Sequence, residues 1–190
     1  MIMRTVKELP HGYVQKDYVN LNARTANLVS FLLCAALLAL GWFWRGFGAL
    51  SALQRAGMTY YALFALALVA ALLAFSWLHQ LTHALALRLL TGAAPLFARR
   101  GLRLFVGSGA YLCRRDAVLA LLLPPLFWLA AGVTACALTD GVWFWLAMTA
   151  LLANSGGAAD DFYYAFRVLR APKTALVQYR GYAAGIFTEE

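Results

Sequence analysis

Charge is scarce in this chain. Asp, Glu, Lys and Arg make up 13% of its 190 residues, against about 25% in a typical soluble domain. With 63% of the residues hydrophobic, an ordinary water-soluble fold is excluded, because too little polar surface is left to cover it. Cysteine is also rare: Cys34, Cys113 and Cys136 are widely spaced and form no CxxC pair. That excludes a disulfide framework or a thiolate zinc site and leaves them as packing residues. Residues 1–27 are polar and mixed in charge, so no removable signal peptide is expected. No internal repeat or low-complexity tract is evident.

What the chain has instead is long apolar runs. Leu28–Trp44, Met58 to about Leu78 and Ala117–Leu138 are each close to the ~20 residues that cross a bilayer. The fourth run, Val142–Ala153, would rise only ~18 Å as a helix, so it must continue toward Tyr164. The expected fold class is an all-α membrane protein: about four transmembrane helices and a small cytoplasmic β-hairpin. It forms a single domain, with a cytoplasmic arm over 1–27 lying on the membrane surface, a membrane core over 28–164 and a cytoplasmic tail over 165–190. The hairpin is expected from two β-prone runs, Leu102–Val106 and Ala110–Cys113, around a Gly107-Ser108-Gly109 turn. Pro124-Pro125 should kink the third span. The tail from Ala175 to Phe187 reads as a strand or an extended arm.

The net charge of +8 is topological. Fourteen of the sixteen basic residues fall before the first span, between the second and third, or after the fourth; only Arg45 and Arg55 fall on the other side. The positive-inside bias then places both termini and the long middle loop in the cytoplasm. A nucleic-acid partner gains little from this distribution, whereas the lipid bilayer is an expected partner.

Polar residues at membrane depth need a reason. His79 and His83, in Trp77-Leu78-His79-Gln80-Leu81-Thr82-His83, are four residues apart on one helix face and can grip one metal ion. From Met58 the helix climbs ~31 Å to His79, which sets the pair at the cytoplasmic boundary. The fourth run brings Asn154 and the pair Asp160-Asp161 to the same side and similar depth. Two imidazoles and a carboxylate are a common ligand set for catalytic zinc. Each element has a plainer reading: the His pair as packing, the Asp pair as a solvated helix end with Asp161 facing Arg167 or Arg114, Asn154 as a bundle hydrogen bond, Gly156-Gly157 as a close helix approach, and His11 as an exposed loop residue.

These residues, with Glu8-Leu9-Pro10-His11-Gly12-Tyr13, Tyr111-Leu112-Cys113-Arg114-Arg115, the Pro124-containing span, Asn154…Gly157…Asp161 and the tail Leu169–Gln178, resemble one family. It is the bacterial multi-span zincin peptidases, a domain of unknown function related in plan to site-2 intramembrane metalloproteases. The resemblance implies zinc held by His79, His83 and Asp161, with Asp160 as the alternative carboxylate, and Asn154 bonding substrate backbone or oxyanion. It also implies a peptide or membrane-protein substrate cut near the cytoplasmic face of the bacterial inner membrane. The family motif His-Glu-x-x-His places a general base where this chain has Gln80. An amide has nearly the same shape as the carboxylate and cannot accept the proton, so the chain is expected to keep fold and metal and lose most turnover. Either a deliberate Glu-to-Gln change or a natural pseudoprotease accounts for it; the intact remainder of the site favours the first. An adaptor that captures membrane partners is the alternative function. A transporter comes third, since paired repeats are missing.

Overall fold

The computed structural model describes residues 5–20, 24–48, 51, 55, 57–101 and 103–190. Arg4 and Leu102, used in the topology and hairpin expectations, lie outside them. The four apolar runs fold as helices α1 (Arg24–Arg45), α2 (Met58–Thr91), α3 (Arg114–Leu138) and α4 (Gly141–Arg170). Each is long and apolar enough to cross a membrane. Apolar side chains point outward along them, Phe43 to the extent of 92% exposure. All run past the apolar stretch that announces them. At 34 residues, α2 spans about 51 Å. Its buried residues, Phe75, His79, His83, Ala84, Ala86 and Leu87, all lie in its second half. Gly92 ends it in the left-handed conformation, returning its N–H to Arg88 O at 2.9 Å.

Close approach between helices is set by small residues. A Cβ on Gly41 of α1 would come within 2.9 Å of Met148 Cε, and one on Gly132 of α3 within 2.9 Å of Leu151 Cδ1. Ser30 Oγ donates to Gly156 O at 3.2 Å and holds α1 on α4. At the far end Arg45 pairs with Asp140 at 2.7 Å, and Phe47 stacks on Trp145 at 4.8 Å.

The expectation of an all-α fold with one hairpin is corrected by two sheets at the opposite end. Strands β1 (Tyr13–Asn20), β4 (Leu112–Cys113), β5 (Leu176–Tyr179) and β6 (Ala183–Glu189) form an antiparallel sheet of order β1-β6-β5-β4. The N-terminal arm is therefore a strand docked on the C-terminus, Tyr13 facing Glu189 and Val19 facing Ala184. The tail is a hairpin. The second sheet pairs β2 (Pro95–Arg100) with β3 (Arg103–Ser108). Its register corrects the expected turn. Gly101, at φ +61°, supplies the left-handed residue of the connection, while Gly107 and Ser108 lie inside the strand.

Gly107 is there for space. A Cβ on it would meet Arg180 C and Tyr179 O at 2.8 Å, and neither backbone atom can swing aside. Gly181, at φ +83°, is pressed against Val106 from the facing side. Gly107→Ala is therefore expected to destabilise the fold by about 1–3 kcal/mol, read as a lower thermal midpoint in detergent. Gly109→Ala, whose Cβ would sit 3.8 Å from Leu96, should leave that midpoint nearly unchanged. Beneath this contact, Leu87, Val106, Leu112, Leu121, Val168 and Val177 form a continuous core. It joins the last turns of α2 and α4 and the first turns of α3 to the sheets.

Candidate metal centre

Two helices supply the donor atoms of the site. His79 and His83 lie one turn apart on α2, and Asp161 faces them from α4. His79 Nε2 and His83 Nε2 are 3.1 Å apart, and each is 3.2 Å from Asp161 Oδ2. All three residues are buried, His83 to 1% exposure and Asp161 to 5%. Among the described residues these form the group of His, Cys, Asp and Glu whose donor atoms could hold a metal. Asp160, the alternative carboxylate, lines the adjoining cavity instead. Arg167, considered as a partner for Asp161, pairs with Asp17, and Arg114 donates to Ala171 O.

The outer ring nitrogens decide what the inner ones are. His83 Nδ1 lies 3.1 Å from Ala120 O, and His79 Nδ1 lies 3.1 Å from Asn154 Oδ1. A carbonyl only accepts, so His83 must donate from Nδ1. Asn154 Nδ2 donates to Pro125 O at 3.2 Å, which fixes the amide with its oxygen toward His79. Flipped, it would set oxygen against oxygen. Both imidazoles therefore carry a proton on Nδ1, and each, as the neutral ring, turns its Nε2 lone pair to the Asp161 carboxylate. With both rings neutral, the three acceptors repel unless a metal cation sits among them; a proton on either Nε2 would instead be shared with Asp161.

The spacing suits that cation. Ligand atoms at ~2.0–2.2 Å from a tetrahedral zinc are about 3.3–3.6 Å apart, a little longer than the 3.1–3.2 Å edges here. Asn154 was expected to meet substrate. It is 2% exposed, and its amide bonds His79 Nδ1 at one end and Pro125 O at the other, the kind of contact that orients an imidazole where one ligates a metal.

Beside the donors opens a cavity of about 1160 Å³ between α1, α2, α4 and the β2–β3 hairpin, lined in part by Ser30, Gln80, Arg99, Asp160 and Tyr179. Gln80 Oε1 is buried there with no hydrogen-bond partner among the described residues. An orphaned acceptor in a polar cavity beside a metal-type donor set is placed for a donor that the protein itself does not supply. Tyr179, which the sequence did not single out, lies with its ring tilted 36° to that of His83, centroids 6.2 Å apart. Burial, then the negative charge of Asp161, pushes its hydroxyl well above the ordinary tyrosine range, so it stays a neutral donor. Its only sequence signal is an aromatic in a short β-prone run. The cysteines are free, and burial raises the Cys113 thiol above its ordinary value, as suits packing. His11 is exposed in its turn.

No curated protein and no solved structure matches this chain. The model of the family DUF3267, described as "Putative zincin peptidase", matches residues 72–176. That range is more than half of the chain and contains both imidazoles, Gln80, Asn154 and Asp161, and the chain belongs to this family.

Proposed function

We propose that this chain is a membrane-embedded zinc metallopeptidase, of the site-2 type in plan, whose hydrolytic step is disabled by Gln80. The observation that carries the reading is the inward-facing triangle of two Nε2 atoms and one carboxylate oxygen, held by hydrogen bonds on the outer nitrogens. His79, His83 and Asp161 would hold the metal. Zinc so held acts as a Lewis acid toward a peptide carbonyl and activates water at neutral pH.

The chain's own residues do the rest. Position 80 lines the cavity next to the donors, where a carboxylate would take a proton and return it to the leaving amine. The amide at Gln80 occupies that place without the basicity. Tyr179, neutral and buried beside His83, can donate to a carbonyl oxygen of a bound peptide. The substrate is a peptide segment of a membrane-associated protein. Supporting this, the cavity runs from the helices to the hairpin, and an extended segment can lie along a strand edge there. The helices cross the inner membrane of a bacterium, with both termini in the cytoplasm, as the basic residues' sorting favours.

The amide supports a second reading, a non-catalytic adaptor that binds membrane partners through the same cavity. Metal analysis of the purified chain, followed by a peptidase assay of Gln80→Glu, separates the two. The protease reading expects one zinc per chain and cleavage by the variant; zinc without cleavage favours the adaptor.

A further inference from the structure

Two consecutive prolines inside α3 need an explanation. Pro124 and Pro125 are buried, and the helix runs unbroken through both. Proline has no N–H, so Pro124 cannot donate to the carbonyl four residues back. That carbonyl belongs to Ala120, and it is the one that receives His83 Nδ1–H at 3.1 Å. The next residue of the pair offers its own carbonyl, Pro125 O, to Asn154 Nδ2, whose other end holds His79. A single step of α3 thus faces both imidazoles, one directly and one through Asn154.

We infer that Pro124 is a positioning residue for the metal centre: by withholding a helical N–H it leaves Ala120 O to fix the tautomer and orientation of His83. The inference rests on the ligand reading above and adds the source of its outer sphere. A residue with an N–H at 124 would put a helical donor on Ala120 O, in competition with His83. The imidazole would then be free to turn or to move its proton to Nε2, the nitrogen that must stay bare to bind metal. Leu123, one residue earlier on α3, serves as the control. It is exposed, and Leu123→Ala leaves every backbone N–H and carbonyl of the helix in place.

The test compares the full chain, Pro124→Ala and Leu123→Ala in detergent by zinc competition against a chromophoric chelator. Pro124→Ala is expected to bind zinc about 10-fold more weakly or worse, the usual effect of losing an outer-sphere partner, and Leu123→Ala within about twofold of the parent, since it removes no such partner. The metal-free Pro124→Ala protein should melt no lower than the parent, because alanine favours the helix. Nitrogen-15 spectra of the metal-free imidazoles give a readout independent of zinc: His83 protonated on Nδ1 in the parent, and a mixture of tautomers in Pro124→Ala. Equal zinc affinities, equal losses in both variants, an unfolded Pro124→Ala protein or an unchanged His83 tautomer would each overturn the inference. A parent that binds no zinc would overturn the ligand reading instead, while the tautomer comparison still decides the role of Pro124.

Discussion

Gln80→Glu is expected to raise hydrolysis of a membrane-associated peptide by about 10²–10⁴-fold, the usual contribution of a positioned general base. The change adds a basic oxygen and removes an amide of nearly the same volume, so the backbone has no reason to move. Gln80 Oε1 already lies buried in the cavity beside the donor triangle, without a partner among the described residues, which is where that oxygen is needed. The gain must depend on the metal. Gln80→Glu combined with His79→Ala, and Gln80→Glu stripped by a chelator, should both fall back to the parent's rate. Activity that survives either treatment would exclude metal-assisted hydrolysis. A zinc-loaded Gln80→Glu protein that cleaves no membrane peptide would leave the adaptor as the better reading.

The helices and the meeting of His79, His83 and Asp161 were legible in the sequence because both follow short-range rules. An i, i+4 histidine pair shares a face whatever else the chain does, and span length sets depth at a fixed rise per residue. Those two rules brought Asp161 to the imidazoles from 78 residues away. The sheet was not legible, because β1 pairs with β6 across almost the entire chain and neither strand carries a strong alternation of its own. The hairpin was misplaced for a local reason. Gly107-Ser108-Gly109 has turn composition, but Gly107 is small to admit the Tyr179–Arg180 backbone, whereas the true connection at Gly101 is hidden among arginines. The outer sphere was invisible for a third reason. Asn154 and Pro124 look like a bundle amide and a kink until the atoms they face are known.

Loss of the Asp161 carboxylate should be the most damaging single change to metal binding. Asp161→Ala removes the atom that both imidazoles approach at 3.2 Å and leaves only the two Nε2 atoms, 3.1 Å apart. Zinc affinity is expected to fall by more than the roughly 10–100-fold typical of an outer-sphere loss. Asp160→Asn, one residue earlier and outside the donor group, should stay within a few-fold of the parent, which separates the two carboxylates directly. Stability provides an independent measure, because a ligand that binds only the folded state raises its melting temperature in proportion to RT ln(1 + [zinc]/Kd). Added zinc should therefore raise the midpoint of the parent and of Asp160→Asn, and leave that of Asp161→Ala unmoved. Equal zinc-induced shifts in Asp161→Ala and the parent would mean that the metal is held elsewhere. The buried triangle would then be a hydrogen-bonded packing cluster, and the peptidase chemistry would lose its centre.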